Sequence, residues 1–501
     1  MRRLVAFLAL GALAGCDMAP HFTRPNPAIP PSWPVGDAYL RQSEAALPSL
    51  SYRDIFRDPH LQAIIAQALA NNQDLRAALA NVAAARAQYH VQRAAILPQV
   101  DASGGATVRH SSNGGSSLGG TAGAGGTNGV GGSTGTTGTG APSGSAGETI
   151  TTYSAEGGTT AWEIDLFGRL RDLSRSAFDQ YLGTAAAARA ARLTLVAQVA
   201  DAYFQLAADR SLLAVALDTE KSAQTSVTLT RERLDGGIAP RTDLRQAQTV
   251  LATAQADRAR QVTLVAQDRN ALELLVGAPV ADELLPPSID AVEAMLAELP
   301  AGLDSTILLR RPDVVQAEYQ LRAANARIGA ARAAFFPRIS LTALAGVAST
   351  ALSSLFTGGA FTWTVAPSAT MPIFDGSANA GNLSYAKAER DYYLATYQKA
   401  IQTAFREVAD ALARRGTIEA QVAAQQLNLT AAQDSATLET ARYKEGIDPY
   451  LNALDTERTL YAARQAMAQV RLTRAQNLVA LYQALGGDEL MENLPGTHPT
   501  R

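Results

Sequence analysis

Three residues near the C-terminus have the types and the spacing to act together. Leu451, Asp455 and Arg458 stand at i, i+4 and i+7, so a helix would place all three on one face. Within one chain, Asp455 and Arg458 would form a solvent-exposed ion pair that contributes about a few tenths of a kcal/mol. In a ring of copies, the same groups from neighbouring chains could instead close a central bore as an ionic lock. Spacing alone favours the simple ion pair.

The rest of the sequence offers no arrangement suited to catalysis. No histidine lies at metal-ligand spacing from another histidine or a carboxylate; the five are His21, His60, His90, His110 and His498. A G-x-S-x-G pattern occurs at 131–135, but it lacks the preceding strand and following helix of a nucleophile elbow. We therefore expect a protein that is not an enzyme and has no metal or cofactor.

The N-terminus predicts export and lipidation. Arg2 and Arg3 precede an apolar run over 4–13, which is a secretory signal too short to cross a bilayer. Leu13-Ala14-Gly15-Cys16 resembles a bacterial lipobox, in which the Cys carries the lipid; the alternative is an ordinary signal with a chance Cys. Because Cys16 is the only Cys, no intrachain disulfide is possible. Asp17, which follows it, favours inner-membrane retention in some enteric bacteria, but a membrane barrel of the kind argued below would override that signal.

Four segments alternate between apolar and polar residues with the period of two that strands have. Their small or apolar positions are Val100, Ala102, Gly104, Ala106 and Val108; Trp162, Ile164 and Leu166; Ile339, Leu341, Ala343 and Ala345; and Phe361, Trp363, Val365 and Ala369. Such strands of about ten residues are typical of outer-membrane barrels. Trp162, Phe361 and Trp363 could then lie at the lipid interface, although half-buried aromatics in a soluble sheet would look the same. The strands alone do not decide between the two.

The chain also contains an internal duplication. The Arg-x-x-x-Gly-Ile motif ending at Ile238 recurs at Ile447, and the motif ending at Gly277 recurs at Gly486, both 209 residues later. The prolines that precede the strands, Pro98 and Pro337, are 239 residues apart, so the first copy contains an insertion. It coincides with a segment rich in Gly, Ser and Thr over 110–147 that has no charged residue. This composition is typical of a flexible external loop.

The sequence of each copy of the repeat predicts two long helices joined by a tight turn. The first long segments, 172–234 and 382–445, contain no proline, and about 60 helical residues would make a rod of roughly 90 Å. The turns, 236–240 and 446–449, combine a glycine that closes one helix with a proline that opens the next. Pro312 likewise fits the start of a helix. No apolar run reaches about 18 residues, so no transmembrane helix is expected.

The predicted fold class is mainly α with membrane β: an internally duplicated coiled-coil tunnel with four strands per chain. Four strands cannot close a barrel, and open sheet edges in hydrocarbon leave backbone groups unpaired, so copies must pool their strands. The predicted segments are a signal peptide (1–15), a lipidated periplasmic segment (16–60), a first-repeat helix (61–97), a strand pair with its loop (98–168), first-repeat long helices (169–277), an equatorial connector (278–303), a second-repeat helix (304–336), a second strand pair (337–375), second-repeat long helices (376–486) and a C-terminal tail (487–501).

These motifs resemble the TolC-type outer-membrane efflux factors, in particular the OprM/NodT-like lipoproteins of resistance–nodulation–division pumps. The similar segments include 310–314, 323–337 with its Phe-Phe-Pro, and 442–455. The resemblance covers nearly the whole chain. It implies a homotrimer with one shared twelve-stranded barrel in the outer membrane and a periplasmic helical tunnel. The implied partners are outer-membrane lipid, a periplasmic adaptor and an inner-membrane transporter, and the net charge of −3 gives no reason to expect nucleic acid.

The resemblance also assigns residue roles. Leu451, Asp455 and Arg458 match the family's gate positions, which favours the ionic lock over the simple ion pair. The implied adaptor-contact residues of the two tips are Gly236, Gly237, Ile238, Tyr443, Lys444, Gly446 and Ile447. At Lys444 the family has Arg, and Lys cannot make the same bidentate contacts. In the first copy, Arg241, Thr242 and Gln246 stand where the second has Tyr450, Leu451 and Asp455, so only one copy would supply the acidic ring.

The implied function is a passive exit duct for small toxic compounds, with its gate at the periplasmic tip. A related duct for secreted polypeptides is the alternative. A trimeric coiled-coil adhesin or spacer is a third possibility, but it would need neither the duplication nor two internal strand pairs. The bore is lined by generic polar residues, so the sequence does not identify the exported compounds.

Overall fold

The computed structural model describes residues 17–26, 29–30, 51–111, 148–295 and 305–486. The predicted signal peptide, Cys16, nearly all of the predicted 110–147 loop and the C-terminal tail lie outside the described residues. The helices within the described ranges are α1 (Tyr52–Ile55), α2 (Pro59–Asn71), α3 (Gln73–Ala94), α4 (Arg169–Asp235), α5 (Arg241–Val276), α6 (Ile289–Glu293), α7 (Pro312–Ala333), α8 (Ala378–Lys444) and α9 (Tyr450–Ala484). The strands are β1 (Asp101–Ser111), β2 (Glu148–Ile164), β3 (Arg338–Ser349) and β4 (Phe361–Thr370).

The chain forms two compact units. One comprises the described residues of Met1–His21, Gln88–Ala177 and Ala324–Ala388, and the other those of Phe22–Ala87, Phe178–Ala323 and Glu389–Arg501. The first unit contains the strands, and most of the helical core belongs to the second. None of the described helices is both long enough and apolar enough to cross a membrane.

The four strands form one antiparallel sheet in the order β1-β2-β3-β4. Its register places predicted apolar positions of neighbouring strands opposite one another: Trp162 with Leu341, Ile164 with Ile339, Ala343 with Val365, and Ala345 with Trp363. In β1, Ala102 lies opposite Gly157. Because directly opposed residues point to the same face, one face of the sheet is largely apolar and the other largely polar. The predicted alternation is confirmed for these strands, but β1 and β4 remain edges of the sheet.

A β-bulge changes the phase of β2. Thr159 lies opposite Ala343 and Trp162 lies opposite Leu341, so β2 has one extra residue between them. Ala161, inside the bulge, has φ of 54°, and its N–H donates to Thr342 Oγ1 at 3.1 Å. The bulge brings odd-numbered residues before it and even-numbered residues after it onto the same apolar face.

The prediction for the end of β2 was wrong at one residue. Leu166 was expected to continue the alternation, but β2 ends at Ile164. The N–H of Leu166 instead donates to Ile164 O at 2.9 Å, within the turn that leads into α4. Local turn formation therefore overrides the period-two pattern at this position.

The core of the second unit is built around aromatic side chains. Phe56 packs against Phe204, with ring centroids 6.2 Å apart, and against Tyr482 at 5.8 Å. The hydroxyl of Tyr203, a buried neighbour, donates to Asp58 Oδ2 at 2.7 Å. Since Asp58 also caps the start of α2, this hydrogen bond fixes that helix to α4.

The connector packs against the second-repeat helices through charges. Its helix α6 ends at Glu293, which pairs with Arg474 of α9 at 3.2 Å and with Arg471 at 3.4 Å. Arg474 also pairs with Glu419 of α8 at 2.8 Å. These contacts join the connector to both long helices of the second repeat. Pro312 begins α7, as the sequence predicts.

Candidate functional site

The candidate site is the pair of helical turns that end the long helices of the second unit. Gly237 and Gly446 have φ of 72° and 77°, a left-handed conformation that glycine adopts at little cost. Equivalent hydrogen bonds close both turns: Ile238 N to Arg233 O at 2.8 Å, and Ile447 N to Arg442 O at 2.9 Å. Pro240 and Pro449 then precede the first residues of α5 and α9. The two repeats therefore build the same turn.

Both turns expose an isoleucine. Ile238 is 72% exposed and Ile447 is 63% exposed. Gly236, Gly237, Gly446 and Lys444 around them are exposed as well. The predicted tip residues thus form two accessible surfaces, with one exception.

Tyr443 is buried, at 5% exposure. Its ring lies 5.3 Å from that of Tyr450, and its hydroxyl is 3.4 Å from the Thr230 hydroxyl. The guanidinium of Arg233 lies over the Tyr443 ring at 4.7 Å, and its Nη1 donates to Tyr443 O at 2.5 Å. Tyr443 therefore supports the tip from inside, and its side chain offers no surface to a partner.

Tyr443 belongs to a small apolar cluster that joins the two repeats at the tip. Its buried members come from α4, α5, α8 and α9: Val227, Ala247, Tyr443, Tyr450, Ala453 and Leu454. The first-repeat helices thus pack directly on the second-repeat helices here. Sequence reasoning missed Arg233 and Thr230, since their role depends on the contact with Tyr443 in the other repeat.

Charged groups reinforce the second turn. Arg442 forms an ion pair with Asp448, and this hydrogen-bonded contact lowers the pKa of Asp448. Farther along α9, Glu457 accepts a hydrogen bond from Ser222 Oγ at 3.2 Å. Burial raises the pKa of Glu457, while the Ser222 hydrogen bond and Lys444 act in the opposite direction. Glu457 lines a cavity of about 270 Å³ between α4, α8 and α9.

The three predicted gate residues share one exposed face of α9. Leu451 is 59% exposed, and Asp455 and Arg458 are exposed as well. Within the described part of the chain, no ion pair joins Asp455 to Arg458. Both charges on this face therefore remain accessible to other molecules.

The first repeat presents different chemistry at the matching positions of α5. Thr242 and Gln246 are exposed, as Leu451 and Asp455 are, but neither carries a charge. Arg241 is exposed, whereas its counterpart Tyr450 is buried. At these positions the two turns therefore differ in charge and in burial.

The three predicted interface aromatics lie on the apolar face of the sheet. Phe361 and Trp363 of β4 are 67% and 69% exposed. Trp162 of β2 is half-buried, and its Nε1 donates to Ile96 O at 3.1 Å. No group of His, Cys, Asp and Glu suited to hold a metal ion occurs among the described residues.

Comparison with known proteins identifies the family. The model of the family described as "Outer membrane efflux protein" matches 64–278 and 303–487, one stretch in each repeat. An antibiotic efflux pump outer membrane protein, ArpC of Pseudomonas putida, is 41% identical over 95% of this chain and 93% of its own length. A solvent efflux pump outer membrane protein of the same species, SrpC, is 39% identical over 96% and 97%.

Solved structures give the same result. The open state of the MtrE outer membrane channel from Neisseria gonorrhoeae is similar with a TM-score of 0.80 and 33% identity, covering 94% of this chain and 98% of that one. The chain belongs to the outer membrane efflux protein family. It is an outer-membrane exit channel of efflux pumps, and it is not an enzyme.

Proposed function

We propose that the channel is gated at the periplasmic tip by Leu451, Asp455 and Arg458 from three copies of the chain. The observation that carries this proposal is the exposure of all three residues on one face of α9. Charges on neighbouring copies would attract across a narrow bore, and the leucines would exclude water beside them. Opening then requires separation of the second-repeat tips.

The trimer is supported by the sheet. Its edge strands, β1 and β4, leave backbone groups without neighbours in the sheet, which is costly in hydrocarbon. Three copies would supply twelve strands, and closure of the ring would pair both edges. The apolar face, with Trp162, Phe361 and Trp363 near the lipid interface, would face outward, and a lipid on Cys16 would anchor each copy.

The partners at the tip are a periplasmic adaptor and, through it, an inner-membrane transporter of the resistance–nodulation–division class. The adaptor surface comprises the exposed residues of both turns: Gly236, Gly237, Ile238, Lys444, Gly446 and Ile447. Two exposed isoleucines suit a partner that buries apolar side chains. Tyr443 contributes by holding the second turn in place.

The cargo is small toxic compounds that cross passively to the outside. The names of the relatives support this class, because ArpC is named as an antibiotic efflux protein and SrpC as a solvent efflux protein. The alternative, a duct for polypeptides, has no such support. Energy and selection would come from the transporter, since the outer membrane efflux protein family consists of channels and not of enzymes.

Conductance in planar bilayers tests the gate. Asp455→Ala removes the acidic group of the lock. We therefore expect a several-fold rise in mean conductance, because the channel would be open for a larger fraction of the time. Asp434→Ala changes the charge equally at an exposed position of α8 and serves as the control. Unchanged conductance for Asp455→Ala, or an equal rise for Asp434→Ala, contradicts the proposed gate.

A further inference from the structure

The two repeats contain equivalent aromatic and apolar residues at the base of the strands. Phe167 follows β2, and Phe374 follows β4 in the matching Leu/Ile-Phe sequence. Phe336 and Leu97 each precede the proline that leads into a strand, Pro337 or Pro98. Each repeat thus has one residue before its strand pair and one after it.

Within the chain, one combination of these residues is in contact. The rings of Phe167, from the first repeat, and Phe336, from the second, are stacked with centroids 4.8 Å apart and an interplanar angle of 22°. The contact accompanies the pairing of β2 with β3, where the first repeat meets the second. It covers part of both rings, and Phe336 is 39% exposed.

Among the described residues, no such contact joins Leu97 of the first repeat to Phe374 of the second. Leu97 is 67% exposed, Phe374 is 91% exposed, and Ile373 beside it is 99% exposed. These residues flank β1 and β4, the two edges of the sheet. Large apolar side chains next to unpaired strand edges mark a surface that another chain covers.

We infer that Phe374 of one copy packs on Leu97 of the next copy, and repeats between chains the contact that Phe167 makes with Phe336 within a chain. The occupant is a second copy of this protein, because only β1 of another copy continues the sequence of strands beyond β4. The contact is head-to-tail and closes into a ring. The inference rests on the trimer proposed above.

The internal contact also specifies the strand register between copies. Within the chain, Trp162 lies opposite Leu341. In the repeat equivalence, Ala369 of β4 corresponds to Trp162, and Ala102 of β1 corresponds to Leu341. Ala369 of one copy therefore lies opposite Ala102 of the next.

An independent observation supports this register. Ala369 lies on the apolar face with Phe361 and Trp363, because β4 pairs with β3 without interruption. Ala102 lies on the same face, because β1 pairs regularly with β2. We call the pairing of β4 of one copy with β1 of the next the joint. The register derived from the aromatic contact continues the apolar face across this joint, whereas a shift by one residue would place polar side chains on that face.

Cysteine cross-linking tests the joint in the full-length protein. The double variant Leu97→Cys/Phe374→Cys, treated in detergent with a short bifunctional methanethiosulfonate, should yield covalent dimers and trimers. Within one chain, β1 and β4 are three strand spacings apart, roughly 14 Å, so a short link must join different copies. Ala102→Cys/Ala369→Cys should give the same products and tests the register with smaller changes to packing.

Each of two control pairs changes one position of a predicted pair: the first replaces Phe374 by another exposed phenylalanine, and the second replaces Ala369 by its neighbour in sequence. Phe356→Cys/Leu97→Cys introduces a residue that is 82% exposed but lies in the connection between β3 and β4, and Ala102→Cys/Ser368→Cys places the two cysteines on opposite faces. Neither should cross-link efficiently. Native mass spectrometry of each variant reports the number of copies independently.

The outcomes separate the joint from the assembly. Trimers with cross-linking confined to the two predicted pairs support the inference. Trimers in which these pairs react no more than the controls overturn the joint but leave the assembly intact. Wild-type protein that is monomeric overturns the trimer on which the joint depends.

Discussion

Arg233 and Arg442 occupy equivalent positions in the two repeats but have different partners. Arg442 forms an ion pair with Asp448 in its own turn. The residue equivalent to Asp448 in the first repeat is Ala239, so Arg233 lacks this local partner and extends to Tyr443 instead. A single side-chain difference thus converts a local ion pair into a contact between the two turns.

Arg233→Ala should loosen the second turn. It removes a cation–π contact and a hydrogen bond to Tyr443 O, which together contribute about 1.4 kcal/mol, or about tenfold in a local opening equilibrium. Amide hydrogen exchange over residues 441–450 should therefore accelerate about tenfold. Arg231→Ala, an exposed arginine two residues away, is the control, and equal exchange in both variants contradicts a specific role of Arg233.

Two neighbouring carboxyl groups, the buried Asp209 of α4 and the partly buried Asp268 of α5, lie between these helices. Burial and the neighbouring Asp209 raise the pKa of Asp268 from 3.8 to about 7. The Asp268 Oδ2 atom is buried and has no hydrogen-bond donor among the described residues, so protonation allows it to donate to Asp209. Gln205 Nε2 donates to the other carboxyl, Asp209 Oδ2, at 3.0 Å.

The stability of the helical unit should therefore depend on pH through Asp268. The raised pKa means that the folded chain retains a proton that the unfolded chain has lost, so this stabilisation is complete below about pH 4 and disappears as the pH rises through about 7. Asp268→Asn can still donate to Asp209 without titrating. Thermal unfolding should show a midpoint a few degrees higher than wild type at pH 8 and little difference at pH 5.

Asp434→Asn provides the matched control for that experiment, because Asp434 is exposed on α8. It should leave the midpoint unchanged at both pH values. If Asp268→Asn lowers the midpoint at pH 8, the two carboxyl groups do not share a proton as described.

Sequence spacing could predict some of these residues and not others. Leu451, Asp455 and Arg458 share a face because they are close in sequence, and a helical period is sufficient to find them. Arg233 meets Tyr443 across 210 residues, and Asp268 meets Asp209 across two helices. Such contacts depend on how helices pack, and neither composition nor periodicity contains that information.

At the scale of the elements, two helical glycines have opposite surroundings. A Cβ on Gly329 of α7 would lie 2.7 Å from the backbone N of Ala19, and the side chain of Asp172 is also too close. The segment containing Ala19 is held on α7 by hydrogen bonds from Arg332 to Met18 O at 3.1 Å and from Asn325 to Pro20 O at 2.7 Å. A Cβ on Gly183 of α4 would make only ordinary contacts, the nearest at 3.5 Å.

The same substitution should therefore have opposite effects at these two positions. Gly329→Ala must displace backbone and should destabilise the protein by about 1–3 kcal/mol. Gly183→Ala should stabilise it by up to about 1 kcal/mol, since alanine favours the helix. Chemical denaturation in detergent measures both, and equal signs for the two variants contradict the packing described around Gly329.

The strands show where pattern recognition works and where it stops. The apolar alternation of β1, β3 and β4 was readable because each has a regular register with its neighbour. In β2 the period-two pattern predicts only the part from Trp162, although the strand begins at Glu148. The bulge shifts the phase in the middle of the strand, and a fixed period of two cannot follow such a shift.

At the scale of the molecule, duplication supplies two similar pairs of long helices, of which only one carries the residues of the proposed gate. The turns are built alike, but the acidic group of the proposed gate occurs only in the second repeat, at Asp455, and the first has Gln246. A trimer would thus alternate three ionic and three neutral helix ends around the bore. The balance between closed and open states should then depend on screening.

Salt should open the wild-type channel. Raising ionic strength from 0.1 to 1 M shortens the Debye length from about 10 to about 3 Å, which weakens attraction between exposed charges of neighbouring copies. Single-channel recordings should show a larger rise in open probability for wild type than for Asp455→Ala, after correction for bulk conductivity. An equal rise in both proteins contradicts an ionic lock.

The bulge in β2 has a consequence for how the sheet tolerates change in length. Removal of one residue from Thr159–Trp162 would reverse the orientation of every side chain between the bulge and the outer end of the strand. Glu156, which now lies opposite Ser103 and Gly346 on the polar face, would move to the apolar face of the sheet. Insertions beyond the strand ends leave all side-chain orientations unchanged. The one extra residue of the bulge, by contrast, is needed to keep the apolar side chains of both halves of β2 on the same face.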